Sequence, residues 1–206
     1  MRLINRLGRT LVIVAALIAA FVGTTTAQTG TFTDSRDKQT YKTVTVGTQT
    51  WMTENLNYLP KTGNSWCYNN SADSCKKFGR LYDWETAKTA CPAGWKLPDT
   101  ADWRKLVKTA GGQEIAGKKL KSTSGWKGTK GDGNGTDVYG FSALPGGYRD
   151  SEGSFYRAGD NGCWWTATEV NSDNAYFLGI RYGYDNVSEN NYGYKHVGDS
   201  VRCVQE

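Results

Sequence analysis

The stretch CPAGWKLPDTADWRKL, residues 91–106, contains the clearest helix boundaries in the chain. Pro92 ends a helix, because proline lacks the backbone N–H that would continue it and clashes with the preceding turn. A second helix is predicted to begin shortly afterwards, with Asp99 or Thr100 as its N-cap. Cys91 is open to three roles at this point: a reactive thiol, a metal ligand or one half of a disulfide.

Similar capping, turn and periodicity signals predict the other helices and strands of the chain. A β-hairpin with its turn near Gly47 comes first, because apolar and polar residues alternate on both sides of that glycine. The predicted helices cover residues 84–90, the segment from Asp99 to Gly111, and residues 113–120. The predicted later strands cover residues 141–148, 154–157, 163–168, 175–182, 186–192 and 200–204. A hairpin, then helices, then a long run of strands indicates an α+β fold.

The first 27 residues have the pattern of an export signal. Three arginines precede an uninterrupted apolar run over residues 11–22, and small residues follow before Gln28. The run is shorter than the roughly 20 residues that span a bilayer. We therefore predict a signal peptide over residues 1–27, a polar leader over 28–38 and one domain over 39–206. The protein is expected to be secreted or on the cell surface, with no transmembrane segment after cleavage.

Charge argues against nucleic acid as a partner. The 25 Lys and Arg residues, less the three arginines of the signal, leave 22 basic residues against 20 acidic ones. The mature chain is thus close to neutral, and it contains no stripe of Lys and Arg that would neutralise phosphates. The expected partner is a glycan or an extracellular protein.

All five cysteines follow the predicted signal, in a part of the chain that an oxidising compartment would receive. Five cysteines allow fifteen connectivities of two bridges and one free thiol. A local Cys67–Cys75 bridge fits the turn-forming loop between the two residues. Cys163 is favoured as the free thiol, because its aromatic neighbours indicate a strand that is at least half buried.

No catalytic constellation is recognisable in the sequence. His196 is the only histidine, and no Gly-x-Ser-x-Gly motif is present. These facts exclude histidine-rich zinc sites, and they exclude a Ser-His-Asp triad unless His196 serves it. We therefore expect a protein that is not an enzyme and that needs no cofactor.

Calcium is the one metal for which the sequence suggests a binding site. The glycine-rich segment 128–140 contains Asp132, Asn134 and Asp137, whose oxygens suit Ca²⁺. The spacing is not that of an EF-hand loop. The alternative is a loop whose Asp and Asn side chains cap their own turns.

Aromatic residues beside amides and acids are common in sugar-binding surfaces, and the C-terminal half contains many. The ligand-binding candidates are Tyr148, Arg149, Trp165, Tyr182, Tyr184, Asn186 and Tyr192. Adjacent strand residues point to opposite faces, so at most one of Trp164 and Trp165 can contact a ligand. The alternative for both tryptophans is the hydrophobic core.

Six motifs together resemble a known family. In order they are WMTENLNY (51–58), GRLYDWETA (79–87), CPAGWKLPDTADW (91–103), YGFSALPGGYR (139–149), WWTATE (164–169) and SVRCV (200–204). They are similar to the Fibrobacter succinogenes major paralogous domain, over roughly residues 34–206. That family is found on exported bacterial proteins and is grouped with the C-type lectin-like fold. LPDTADW also looks like the signature of the formylglycine-generating, sulfatase-modifying branch of that fold.

The resemblance implies a C-type lectin-like α+β fold, with two or three short helices packed on small antiparallel sheets and long ordered loops. It also implies a Cys91–Cys203 bridge, which would contribute on the order of 4–5 kcal/mol in the chain-entropy model. The calcium-dependent sugar-binding motifs of true C-type lectins are missing. The paired C-terminal cysteines of the formylglycine-generating enzymes are missing too, so neither activity carries over.

Three functions are consistent with these features. The first is an exported, non-catalytic binding or surface-display domain that recognises a glycan or protein through loops of its C-terminal half. The second is a structural component of an extracellular surface complex. The third is an enzyme related to the formylglycine-generating oxidases.

Overall fold

The computed structural model describes residues 28–128 and 133–206. The predicted signal peptide and Asp132 lie outside the described residues. In chain order the elements are β1 (Gln28–Thr33), β2 (Thr40–Val46), β3 (Gln49–Met52), β4 (Ser65–Trp66), α1 (Ala72–Phe78), β5 (Leu81–Tyr82), α2 (Trp84–Ala90), β6 (Trp95–Lys96), α3 (Thr100–Thr109), α4 (Gln113–Leu120), β7 (Tyr148–Arg149), β8 (Phe155–Tyr156), β9 (Asn161–Glu169), β10 (Asn174–Arg181), β11 (Val187–Tyr194), β12 (Asp199–Ser200) and β13 (Val204–Gln205). The structure is therefore a mixture of α-helices and mainly antiparallel sheets.

Two larger sheets organise these elements. One has five strands in the order β1-β2-β3-β13-β6, and the other has six in the order β11-β10-β9-β12-β5-β4. Their pairings are antiparallel except between β9 and β12, where Ser200 lies beside Trp164 in parallel register. The last segment of the chain enters both sheets between earlier strands. The C-terminus thereby joins elements that are far apart in sequence.

The five-stranded sheet contains the predicted hairpin. β2 and β3 pair across a turn at Gly47, which adopts φ 64°, a conformation that glycine adopts without strain. Within the polar leader predicted over residues 28–38, β1 forms a strand that pairs with β2 along its whole length. The carboxylate of Asp34, which follows β1, is buried and accepts hydrogen bonds from Arg36 at 2.7–3.2 Å. This neighbouring guanidinium holds the pKa of Asp34 below its usual value against the opposing effect of burial.

The helices begin where their capping residues predict. Asp99 accepts a hydrogen bond from the backbone N–H of Asp102, and the carboxylate of Asp102 accepts one from the N–H of Asp99, which forms a capping box at α3. Asp83 caps α2 through the N–H of Thr86 at 2.9 Å. The described residues contain four α-helices rather than two or three, because α1 was not predicted. No helix among them has the length and apolar character needed to cross a membrane.

Strand β9 separates two hydrophobic cores. Trp164 belongs to the first core, with Trp51, Trp103 and Phe141, whereas Trp165 lies in the second core. The rings of Trp51 and Trp103 lie 4.8 Å apart. Neither Trp164 nor Trp165 is exposed, because apolar layers cover both faces of the strand. The prediction that Trp165 contacts a ligand is therefore wrong.

Two disulfides and one free thiol account for the cysteines. Cys67 is bonded to Cys75, and Cys91 is bonded to Cys203, while Cys163 is a buried free cysteine. The second bond connects residues 112 positions apart, and the first connects residues 8 apart. In the chain-entropy model the longer loop contributes roughly 5 kcal/mol and the shorter one roughly 2–3 kcal/mol. The main covalent restraint thus joins the end of α2 to the C-terminal segment.

A buried arginine connects the C-terminal segment to the rest of the fold. The guanidinium of Arg202 is fully buried and donates to the Oδ1 of Asn55 at 2.7 and 3.0 Å. It also donates to the carbonyl oxygens of Phe141 at 2.6 Å, Ser142 at 3.2 Å and Met52 at 3.3 Å. These five hydrogen bonds match the five N–H groups of an arginine side chain.

Asn55 completes this cluster. Its Oδ1 accepts a further hydrogen bond from the indole Nε1 of Trp164 at 2.9 Å, and its Nδ2 donates to the carbonyl oxygen of Phe78 at 2.8 Å. Among the described residues, no carboxylate forms a salt bridge with Arg202; the cation faces carbonyl oxygens and the ring of Phe141, 4.8 Å away. Burial lowers the pKa of Arg202 to about 9, which leaves the group charged at neutral pH.

We predict that Arg202→Lys lowers the free energy of unfolding by roughly 3–5 kcal/mol, because an ammonium has only three N–H groups for four acceptor atoms that are arranged for a planar guanidinium. Urea unfolding at pH 7 measures this change. Arg104→Lys is the matched control, since Arg104 is 60% exposed and lies 3.9 Å from Glu189, and we expect it to change stability by no more than about 0.5 kcal/mol. A loss below about 1 kcal/mol for Arg202→Lys would contradict the role given to this cluster.

Candidate ligand-binding cavity

A cavity lies on the face of the β9–β10–β11 sheet that is turned away from α3 and α4. Its volume is about 480 Å³, within the range of roughly 300–1,000 Å³ usual for small-molecule sites. Tyr148 of β7 forms one wall, and Val197 and Asp199 of the C-terminal segment form another. The cavity therefore lies where three parts of the chain meet.

Strand alternation explains the floor of the cavity. Phe177, Gly179 and Arg181 of β10 line it, whereas Leu178 between them belongs to the first core. Gly179 leaves the middle of the floor without a side chain. A Cβ atom at this position would lie 2.7 Å from the Nδ2 of Asn191 and would begin to fill the space.

The cavity contains an acidic group with an unusual environment. Asp199 is 3% exposed and lines the cavity, while the next residue, Ser200, points the other way, towards Asn55. Within the described part of the chain, the Asp199 carboxylate has no hydrogen-bond or ion-pair partner, and burial alone raises its pKa to about 7. The site thus contains a carboxyl group that is poised to change charge near neutral pH.

The thiol of Cys163 lies close to this carboxyl group on the cavity wall. Burial raises its pKa well above the usual value, and the charge of Asp199 raises it further. A thiol with a raised pKa remains protonated at neutral pH, and a protonated thiol is a poor nucleophile. Cys163 is therefore a small, weakly polar part of the wall.

Amides, a hydroxyl and aromatic rings complete the lining. Asn191 and Ser188 hydrogen-bond to each other, with their Oδ1 and Oγ atoms 3.0 Å apart, and Asn161 lies at the start of β9. The ring of Phe177 meets that of Trp165 edge-on, with centroids 6.3 Å apart, which fixes its position on the wall. The lining thus combines apolar faces with several hydrogen-bonding groups, as small-ligand sites usually do.

An open groove of about 430 Å³ lies beside the cavity and shares Tyr194 with it. The exposed ring of Tyr194 stacks on His196, with centroids 5.4 Å apart and planes at 16°. Three acidic residues, Asp83, Glu85 and Asp173, line the groove together with Ser172 and Lys195. A long ligand could contact both the cavity and the groove through Tyr194.

The predicted binding residues do not form a single surface. Tyr148 lines the cavity, but the guanidinium of its neighbour Arg149 lies over the ring of Trp66, 4.1 Å from its centroid. Tyr192 is 64% exposed and pairs with Tyr176, on the sheet face opposite the cavity floor. Of these, only Tyr148 belongs to the candidate site.

The remaining predicted residues lie near α4. Tyr182 packs against the first core, and the carbonyl oxygen of Tyr184 accepts a hydrogen bond from Lys121 at 2.9 Å. Asn186 is half-buried, and its carbonyl lies against Gly117 of α4. These residues position the loop before β11 and lie outside the cavity lining.

The two candidate calcium ligands that the structure describes, Asn134 and Asp137, form hydrogen bonds within their own loop. The Oδ1 of Asn134 accepts a hydrogen bond from the N–H of Trp126 at 2.9 Å, and the carboxylate of Asp137 accepts two from Ser142, at 2.6 and 2.8 Å. This matches the alternative of side chains that cap their own turns. In the part of the chain that the structure describes, no group of three or more His, Cys, Asp and Glu side chains could hold a metal ion.

Sequence reasoning missed the most informative residues of the cavity, Asp199, Asn161, Phe177 and Asn191. A weak signal existed for Asp199, since it directly precedes the apolar and cysteine-containing SVRCV motif. An acid beside a strand that enters the core is unusual, because burying a carboxylate without a partner is costly.

The comparisons with known proteins identify the family. The family model described as the Fibrobacter succinogenes major domain matches residues 44–205, and the chain therefore belongs to this family. No curated protein and no solved structure shows a significant match to the chain.

We predict that Asp199→Asn stabilises the protein at pH 8 but hardly at pH 4. The folded-state pKa of about 7 lies above the value of about 3.8 for a free side chain. The folded protein therefore binds more protons between these pH values, and the contribution of Asp199 to stability falls as pH rises through this window. Across the whole window, the loss of folding stability caused by Asp199 is on the order of 4 kcal/mol.

Urea unfolding of both proteins at several pH values measures this effect. The exposed Asp73 of α1 provides the charge-matched control, since Asp73→Asn should show no comparable pH dependence. A stability difference between Asp199→Asn and the wild type that stays constant from pH 4 to pH 8 would be inconsistent with a pKa near 7.

Proposed function

We propose that this member of the Fibrobacter succinogenes major domain family is an exported, non-catalytic binding module that takes a glycan into the cavity beside Tyr148. The observation that carries the proposal is the cavity itself, whose lining contains both hydrogen-bonding groups and aromatic rings. Ring faces can stack on the C–H faces of a sugar. The amides of Asn161 and Asn191 can bind its hydroxyl groups.

The neighbouring groove favours a chain-like ligand. Tyr194 lines both spaces, and its ring stacks on that of His196 to form a flat aromatic surface. An oligosaccharide can place one residue in the cavity and extend the next across this surface. This arrangement supports a glycan over a protein loop, which is the other ligand class considered for the C-terminal half.

Export and display at the cell surface are part of the proposal. Residues 1–27 have the pattern of a signal peptide, and the two disulfides are compatible with an oxidising compartment. We further propose a C-type lectin-like architecture. It is supported by the bridge from the end of α2 to the C-terminal segment and by the long irregular connection between α4 and β7.

A binding role is favoured over an oxidase role by the state of the cysteines. Formylglycine-generating chemistry would require two reduced cysteines in one site, whereas four of the five cysteines form disulfides. The fifth, Cys163, has a thiol that burial keeps protonated, because its pKa is raised. No observation favours a purely structural role over binding, and a complete lack of glycan affinity would support that role.

A glycan array, with and without calcium, tests the proposal, followed by calorimetry on the best ligand. Gly179→Leu fills the floor of the cavity, and we predict at least a tenfold loss of affinity, equivalent to about 1.4 kcal/mol. Tyr192→Ala removes an exposed tyrosine from the opposite face of the sheet and should change affinity by less than about twofold.

Chelation of calcium should leave the affinity unchanged. Undiminished binding by Gly179→Leu, with the variant folded, would place the ligand outside the cavity. Absence of binding to every glycan on the array would contradict the glycan proposal as a whole.

A further inference from the structure

We propose that the cavity selects ligands that carry a protonated amine, and that the carboxylate of Asp199 receives this amine. The inference rests on the proposed glycan-binding function and names its ligand class: a sugar with a free amino group, such as a hexosamine that is not N-acetylated.

The backbone holds Asp199 in a fixed orientation. In β12, Asp199 pairs with Tyr82 of β5. The next residue, Ser200, pairs with Leu81 of β5 on one side and lies beside Trp164 of β9 on the other. Because alternate strand residues point to opposite sides, the hydroxyl of Ser200 reaches Asn55 and the carboxylate of Asp199 faces the cavity. The strand pairing therefore keeps the Asp199 side chain on the cavity side of β12.

The charge of Asp199 is not balanced by the protein. The charged or titratable groups that share the cavity are Arg181 of β10, Cys163 of β9, and the tyrosines at positions 148 and 194. Arg181 is exposed, and among the described residues no Lys or Arg forms an ion pair with the Asp199 carboxylate. Buried carboxylates in proteins are normally paired, because desolvation disfavours the lone charge.

A ligand ammonium group would supply the missing partner. It would donate charge-assisted hydrogen bonds to the carboxylate in an environment that water screens poorly. A neutral hydroxyl could also donate to Asp199, but it would leave the negative charge buried and uncompensated. The geometry therefore favours an amine over the corresponding hydroxyl or acetamide at this position.

The rest of the cavity fits a sugar ring around that amine. Tyr148 and Phe177 provide apolar rings in the lining, and Asn161 and Asn191 provide amides for ring hydroxyls. The space of about 480 Å³ holds one saccharide residue together with part of the next. The groove beyond Tyr194 is lined by Asp83, Glu85 and Asp173, and its lysine, Lys195, is paired with Glu169. The acids of the groove would therefore also favour further cationic residues of an oligomer.

Two matched oligosaccharides test the inference. β-1,4-linked glucosamine oligomers and their fully N-acetylated counterparts have the same backbone and differ only at the nitrogen, which is a basic amine in the first and a neutral acetamide in the second. Calorimetry at pH 7 with the wild-type protein should give at least about tenfold tighter binding of the amine form. Asp199→Asn should lose this preference, whereas the charge-matched Asp73→Asn should keep it.

The outcomes separate the inference from the proposed function. Equal affinity for both oligomers, or weaker binding of the amine form, would overturn the amine preference and leave the glycan proposal standing. Retention of the preference by Asp199→Asn would overturn the role of Asp199. Binding of neither these oligomers nor any other glycan would overturn both. The comparison in the wild-type protein does not depend on the folding of any variant.

Discussion

The burial of the Arg202 guanidinium is the constraint on which the rest of the structure depends. Without a carboxylate beside it among the described residues, its charge is stabilised by five hydrogen bonds to Asn55, Met52, Phe141 and Ser142. These acceptors lie at the end of β3, on the segment that follows it, and in the long connection before β7. They must all be in place at once, so the hydrogen bonds fix the first hairpin, that connection and the C-terminal segment relative to one another.

The same short segment also builds the candidate site. Along residues 199–204, successive side chains face the cavity, the Asn55 cluster and the second core, and Cys203 adds the disulfide to Cys91. Asp199 is thus held rigidly by neighbours that are themselves fixed. A buried carboxylate without a partner reduces stability, and this segment has enough other interactions to tolerate it. Sites that bind ligands commonly keep such unfavourable features.

Local chemistry in the sequence predicted the elements that depend on local interactions. The stop at Pro92 located the end of α2, the capping residue Asp99 located the start of α3, and Gly47 located the first hairpin. β1 could not be found in this way, because its polar sequence becomes a strand only through its pairing with β2. The short helix α1 lacks a hydrogen-bonded side-chain cap and follows a turn-rich segment, so its signal was weak.

Most of the cavity could not be predicted from the sequence, because it depends on the order of the strands in the sheet, which is a non-local property. Tyr148 was predicted from its aromatic character, whereas Asp199 becomes buried only when β12 inserts between β9 and β5. Titration of the Asp199 side-chain carboxyl carbon by ¹³C NMR tests the central claim, that this carboxylate is buried and uncompensated in the cavity. We expect a midpoint near pH 7 in the ligand-free protein; a midpoint near pH 4, as for an exposed aspartate, would contradict it.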